Sequence, residues 1–367
     1  MTARRRAKKG TTKATKGAYN RTGSFFVVEA HGRSPWALFL GPTFSGEACS
    51  ARDRSRGSIN ILQVPARMIK HVVGWLRTEK TTKRNQGRWA RWIGRNWARV
   101  SYGRHVEPTW LELNELTIGV ADLPPVFAGF RIVQLTDFHC SRKVTGAYLT
   151  EAVRLAHDQN PDLVVLTGDF VHKGYRYVER VARILGRLRA PAGVYAVLGN
   201  HDFSVRNALG IRRYRHLHRA VTQALTAQGI RVLQNETVPV RRGPEHFHLA
   251  GVEDLWSRSC DLEQAMAGLS PSVPCIMLAH NPRTAERLNG RRCDLMLSGH
   301  THGGQVKWPG RLRALRQPGS HRMPRLTAGL YQYSQTQVYV NKGIGFGFRF
   351  RFGVRPEVAV MTLQPAS

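Results

Sequence analysis

Five short apolar runs in this sequence each end in a cluster of Asp, Asn or His. The clusters are Leu135-Thr-Asp137-Phe-His139, Leu166-Thr-Gly168-Asp169, Leu198-Gly-Asn200-His201-Asp202, Leu278-Ala-His280-Asn281 and Leu297-Ser-Gly-His300-Thr-His302. Apolar runs this short, flanked by Gly and polar residues, read as buried strands. In an open α/β sheet the carboxyl ends of the strands meet at one crevice, so residues far apart in sequence are expected to share a site. Between the runs at 132–135, 163–166, 194–198, 247–250, 276–278 and 295–297 lie amphipathic stretches at 147–159, 177–188, 213–228, 262–267 and 284–288. That alternation predicts an α/β fold, closed by β structure over 330–340 and 358–363, with no internal repeat.

The side chains in these clusters suit a pair of divalent ions. Imidazole serves Zn, Fe or Mn, while carboxylate and amide oxygens add the harder character that Mn and Fe accept. In Asp137-x-His139 and His300-x-His302 the paired residues are two apart, so in extended backbone they would point to one face. Asp169 is a natural bridge between two cations, and Gly168 allows a tight turn before it. Any one of these pieces is weak. An Asp-x-His is usually a surface pair or a turn, and a single His280 after a strand is usually a core histidine. Five in order, each closing a strand-like run, point to a metal centre.

The ordered set Asp-x-His, Gly-Asp, Gly-Asn-His-Asp, His, Gly-His-x-His resembles the calcineurin-like metallophosphoesterase superfamily over residues 131–363. The flanks Thr136-Asp137-Phe138-His139-Cys140-Ser141, Gly168-Asp169-Phe170-Val171 and Gly299-His300-Thr301-His302-Gly303-Gly304-Gln305 are similar to its YkuE and YaeI branch, whose members tend to be membrane-associated. The resemblance implies a four-layer α-β-β-α sandwich. It also implies two divalent ions, one held by Asp137, His139, Asp169 and His302, the other by Asp169, Asn200, His280 and His300. Hydroxide would attack phosphorus in line while the ions neutralise charge on the phosphoryl oxygens. His201 would protonate the leaving oxygen, with Asp202 orienting it or stabilising its charge, unless Asp202 is only a loop carboxylate. Many relatives read Gly-Asp-x-x-Asp; here the last position is His172, which is free to reach substrate instead.

Charge bears on the partner. The chain carries +32 over 367 residues, and residues 1–100 hold 22 Lys and Arg against 4 Asp and Glu. Such a balance favours polyanions: phosphorylated substrates, anionic lipid or nucleic acid. Residues 1–67 read as a basic extension, disordered over 1–24; the internal Met68 is a candidate start, a reading that native peptides from residues 1–67 would exclude. The segment 68–110 is basic and Trp-rich, and 111–367 is the expected catalytic domain. Over 88–100, helical spacing gathers Trp89, Trp92, Ile93, Trp97 and Val100 on one face and Arg88, Arg91, Arg95 and Arg99 on another, which suits either an anionic membrane surface or docking on the protein's own core. Lys307, Arg311, Arg313, Arg316, Arg322 and Arg325 form a basic loop able to clamp phosphate or remain solvated. Phe346-Gly-Phe348-Arg-Phe350-Arg-Phe352 alternates like an edge strand. No apolar run is long enough to span a bilayer. Five cysteines (Cys49, Cys140, Cys260, Cys275, Cys293) without a C-x-x-C pair suggest a reducing compartment and no disulfide framework.

Together these features lead to the expectation of a peripheral membrane enzyme, on the cytoplasmic face or else free in the cytoplasm. It would hydrolyse a phosphodiester or diphosphate, such as that of a UDP-diacylglucosamine. A nuclease is the runner-up, because the charge could track a phosphate backbone, although no nucleic-acid-binding module is recognisable. A non-catalytic scaffold is the third reading, and the complete set of ligand-type residues speaks against it. Oligomeric state and the choice among Mn, Fe and Zn leave no mark on the sequence.

Overall fold

The computed structural model describes residues 86–206, 209, 211–307 and 326–366. Two six-stranded sheets lie face to face. The first has the order β1 (Glu112–Val120), β12 (Glu357–Pro365), β2 (Arg131–Leu135), β3 (Leu163–Thr167), β4 (Val194–Val197), β5 (Arg231–Val232), and only the β12 and β2 pair is antiparallel. The second runs β10 (Gly329–Tyr333), β11 (Thr336–Val340), β9 (Leu295–Ser298), β8 (Cys275–Leu278), β7 (Glu245–Gly251), β6 (Glu236–Arg242), parallel through β11, β9, β8 and β7 with antiparallel pairs at both edges.

Alternation along the strands sorts the core into three slabs. Val133, Leu135, Val164, Leu166 and Ala196 face the helices α2 (Gly146–His157), α3 (Val178–Leu185) and α4 (Leu217–Thr226), meeting Leu149, Val153, Val181, Leu185 and Val221. Ile132, Leu163, Val165, Val197 and Met361 turn the other way, against Leu249, Ile276, Leu278, Leu295 and Leu297 of the second sheet. That sheet's outer face, with Met277, Met296 and Val338, is covered by the short α5 (Leu262–Ala265) and a 3-10 turn over Pro282–Arg287. Helix, sheet, sheet, helix is thus the layer order, the last layer being thin. The stretch expected as a helix over 284–288 is this 3-10 turn, its first residue Pro282 following the cap Asn281, whose side chain accepts from Arg283 N at 3.0 Å.

Two further expectations change. The 346–352 tract is irregular: Phe346 and Arg351 are buried, Phe348 is exposed, and only Phe352 makes a strand-like bridge, to Val306. Arg351 breaks the alternation because its guanidinium donates to the carbonyls of Lys342 (2.8 Å), Gly343 (3.1 Å) and Gly345 (2.7 Å). The Trp segment lies in α1 (Gln86–His105), where Trp92, Ile93, Trp97 and Val100 are exposed rather than buried in the core. Among the described residues, it is the end of α1 that meets the domain. Gly103 is small enough to let Phe350 and the Arg351 backbone close in, and Arg351 N donates to Gly103 O at 2.8 Å. The basic tail, the Met68 region and Arg311, Arg313, Arg316, Arg322 and Arg325 lie outside the described residues. Among the described residues no helix is long and apolar enough to cross a membrane.

Candidate metal centre

All five clusters follow the carboxyl ends of strands, three from the first sheet (β2, β3, β4) and two from the second (β8, β9). The crevice therefore lies between the ends of two facing sheets, not at the edge of one. The ladder continues past the strands: Asp137 N donates to Gly168 O and His139 N to Asp169 O, both at 2.9 Å. The pairs are not extended, however. Asp137, His139, Asp169, His300 and His302 have φ of 53°, 44°, 55°, 71° and 52°. Left-handed backbone costs about 1–2 kcal/mol per non-glycine residue, and it is this coil that aims both members of each pair inward. Gly168 and Gly199 let the neighbouring turns touch: a side chain at Gly199 would run into the Asp169 carboxylate.

Two donor sets result. In the first, His139 Nε2 and His302 Nε2 are 2.9 Å apart, with Asp137 Oδ1 at 3.3 Å from His302 and Asp169 Oδ2 at 3.5 Å from His139. In the second, Asp169 Oδ1 is 3.4 Å from His280 Nε2, and His300 Nδ1 is 2.9 Å from Asn200 Oδ1. Asp169 thus turns one oxygen to each set. Donors about 2.0–2.2 Å from a common ion sit about 3 Å apart, the spacing seen here.

Neighbouring groups fix the orientation of each donor, as ligand-holding hydrogen bonds do in metal sites. Asp137 Oδ2 accepts from Thr136 Oγ1 and His300 N, both at 2.9 Å, which leaves Oδ1 for the centre. Asn200 Nδ2 donates to Val205 O at 2.6 Å, turning Oδ1 inward. His280 Nδ1 meets Thr167 O at 2.6 Å, which presents Nε2. Asp137 Oδ1 and His280 Nε2 are buried and lack a hydrogen-bond partner, as expected of atoms meant for a cation.

The electrostatics agree. Burial holds His139 and His302 well below the usual imidazole range and His300 down at about 3, so all three keep lone pairs at neutral pH. Burial also opposes charge on His280, yet the Asp169 carboxylate raises its proton affinity well above normal, helped by Asp137 and Asp254. Asp137 itself is pushed up to about 6 by burial, with the Asp169 charge adding to it. Asp137 and His280 hold protons more tightly than usual, and a divalent ion beside them would supply that positive charge instead.

A model of the calcineurin-like phosphoesterase family matches residues 130–304. The uncharacterized metallophosphoesterase YkuE of Bacillus subtilis is 33% identical over 268 residues, covering 72% of this chain and 89% of that protein. The chain belongs to the calcineurin-like metallophosphoesterases. Phosphodiesterase YaeI of Escherichia coli is 32% identical over 264 residues (71% of this chain, 92% of that one). UDP-2,3-diacylglucosamine pyrophosphatase LpxG of Chlamydia trachomatis is 29% identical over 303 residues (71% and 91%). The protein is accordingly a metal-dependent phosphoesterase, and its His and Asp clusters fit a two-metal site.

In this metallophosphoesterase His201 sits beside the first donor set, its ring 4.7 Å from that of His139. Its Nδ1 is 2.9 Å from the His172 carbonyl, which assigns the proton there and leaves Nε2 for chemistry. Asp202 is placed differently from a partner of that imidazole. Its Oδ1 accepts from Phe170 N (3.0 Å) and Val171 N (3.3 Å) and its Oδ2 from Gly199 N (2.9 Å), so it ties the loop after β3 to the loop after β4. Burial, with the Asp169 charge, pushes this carboxyl up to about 8 despite those donors. His172, the departure from the family pattern, has its ring 5.5 Å from that of His201.

A sixth strand end was missed. After β7 comes Gly251-Val-Glu-Asp254-Leu-Trp256: the Trp256 ring packs edge-on at 4.4 Å from that of His300, and buried Asp254 accepts from Trp256 N (2.7 Å) and Ser257 N (3.0 Å). The sequence signal was present, since the 247–250 run also ends in an acidic cluster.

Proposed function

We propose that this metallophosphoesterase hydrolyses a phosphodiester or diphosphate bond in an amphiphilic, nucleotide-linked substrate at an anionic membrane surface. The observation carrying the reaction type is His201, an imidazole held at Nδ1 by the His172 carbonyl and placed beside two converging donor sets. Asp137, His139, Asp169 and His302 would hold one ion, and Asp169, Asn200, His280 and His300 the other. When bound, the ions neutralise phosphoryl charge and lower the pKa of water. The protein's own part is to hold the scissile phosphorus within reach of His201, which, carrying a proton on both ring nitrogens when the bond breaks, gives the one on Nε2 to the departing oxygen and keeps the one on Nδ1.

The names of YaeI and LpxG, a phosphodiesterase and a pyrophosphatase of a nucleotide-linked lipid, support the diester and diphosphate classes. Membrane association draws on α1, where exposed Trp92, Ile93 and Trp97 accompany Arg91, Arg95 and Arg99, with exposed Phe348 nearby in the tract that meets the end of α1. Trp suits the headgroup boundary and Arg the anionic surface. The side facing the cytoplasm is the natural one for such a basic face.

The test is an assay of Mn-loaded protein on a panel of phosphodiesters and lipid-linked diphosphates, with Asp169→Asn as control and cosedimentation on phosphatidylglycerol vesicles alongside. Turnover of a lipid-linked diphosphate with vesicle binding is expected. Intact diphosphates and protein left in the supernatant would defeat the proposal. A nuclease remains the second reading, favoured by the +32 charge; cleavage of single-stranded DNA or RNA that His201→Ala abolishes would promote it.

A further inference from the structure

Beside the proton donor lies a cleft of about 400 Å³, lined by His172, Lys173, His201, Arg206, Arg213 and Tyr214. Among the described residues no carboxylate lines it. Several arginines elsewhere pair with acids: Arg154 with Glu151 and Asp158, Arg242 with Asp162, Arg292 with Asp122 and Asp294. In a chain this basic some cations must go unpaired, so their number says little. What distinguishes this group is place: Lys173 follows the β3 loop, Arg206 and Arg213 come from the segment after β4, and the three surround one concavity at His201.

The geometry assigns that concavity to the leaving side of the reaction. The cleft opens directly beside the first donor set: of its lining residues, His201 and His172 have their rings 4.7 and 5.5 Å from that of His139 and 5.5 Å from each other. A group that departs toward His201 therefore emerges among Lys173, Arg206 and Arg213. Guanidinium and ammonium groups lining a pocket without acids are suited to phosphoryl oxygens.

We propose that this cleft binds a second phosphoryl group on the leaving side, so that the preferred substrate is a diester of diphosphate cleaved at its P–O–P bridge. This rests on the reading of the centre given above and narrows it. In the reaction a water oxygen bonds to the scissile phosphorus, the bond from that phosphorus to the bridging oxygen breaks, and the bridging oxygen leaves with its electron pair as part of a phosphate monoester. His201 gives that oxygen a proton; one proton of the water replaces it and the other stays on the new phosphate. The three cations meet the charge that a single-phosphate diester lacks.

The experiment compares two substrates on the Mn-loaded full chain: ADP-ribose, a diphosphate diester, and bis(p-nitrophenyl) phosphate, whose leaving group carries no phosphoryl. In the double variant Arg206→Gln/Arg213→Gln the ratio of kcat/KM for ADP-ribose over that for bis(p-nitrophenyl) phosphate is expected to fall about tenfold or more, chiefly through KM. Arg206→Lys/Arg213→Lys should recover part of that ratio. In parallel, titration calorimetry of AMP, a leaving-type phosphate monoester, in EDTA should show about tenfold weaker binding to the Gln variant. A ratio that stays within threefold of the native value overturns the cleft assignment while the phosphoesterase reading stands. If native protein cleaves neither substrate, the diester and diphosphate reading fails, and the AMP titration alone decides the cleft: equal affinity in native and Gln variant overturns it.

Discussion

At the scale of single residues, the centre depends on atoms aimed by their neighbours. His201→Ala removes the proton donor but none of the seven donors, so kcat should fall about 10²–10⁴-fold with metal content per chain retained. The loss should be smaller for p-nitrophenolate, which leaves readily unprotonated, than for an alkyl alkoxide; equal losses on both would remove His201 from the acid role. The seven residues that the structure brings together at the strand ends were legible in the sequence, because side-chain chemistry and strand-end position both mark them. How they are aimed was not. Extended spacing explains Asp137 and His139 on paper, but the backbone at both is left-handed, a conformation Asp and His tolerate without a sequence signature. Asp202 illustrates the same gap: the motif places it beside His201, and only the three backbone N–H groups on its carboxylate reveal a staple between loops. Trp256 was invisible because an aromatic after a strand has no spacing that tells a His300 contact from core packing.

At the scale of elements, β1 and β12 are joined to the loop after β11 by Lys342, which pairs with Glu112 and, at 2.7 Å, with Glu357. Glu357 is fully buried and also accepts from Tyr339 Oη at 2.7 Å. Lys342→Met leaves the buried Glu357 carboxylate without its cation, while Glu112 keeps Arg355 at 3.8 Å, and should cost about 3–5 kcal/mol, read as a drop in Tm. Burial works against charge on Lys342, yet Glu357 and Glu112 raise its pKa above the ordinary lysine value. A raised folded-state pKa means that this stabilisation is complete below the unfolded lysine pKa and is lost as pH climbs through the folded one. The native and Met variants should therefore converge in Tm only in strong alkali. Convergence near neutrality would contradict the network. Buried strands were legible as apolar runs, whereas β1 and β6 were not: Glu112–Val120 alternates only weakly and Glu236–Arg242 carries Pro239 and two arginines, the marks of edge strands that read as loops. The 346–352 tract misled for the opposite reason. Its alternation is real in sequence, but Arg351 found four backbone carbonyls and went inward.

For the whole molecule, the layered α/β architecture follows from the order of apolar runs and amphipathic stretches, while the division of strands between two sheets does not, since strand neighbours are set by long-range packing. That division has a thermodynamic consequence. Ions that bind only the folded chain stabilise it by about 3 kcal/mol at a hundredfold excess over Kd, so EDTA should lower Tm by roughly 5–10 °C, restored by Mn. An unchanged Tm on chelation would mean the donors do not bind ions in the folded protein. Each proposed ion draws on both sheets: Asp137, His139 and Asp169 with His302 for one, Asp169 and Asn200 with His280 and His300 for the other. The ordering along the chain then governs when activity can arise during synthesis. A ribosome that has released everything through β8 has produced three of the four proposed donors of one cradle and two of the four of the other. The polypeptide becomes competent only when His300 and His302 emerge, so nascent and prematurely terminated chains are born unable to cut phosphate esters.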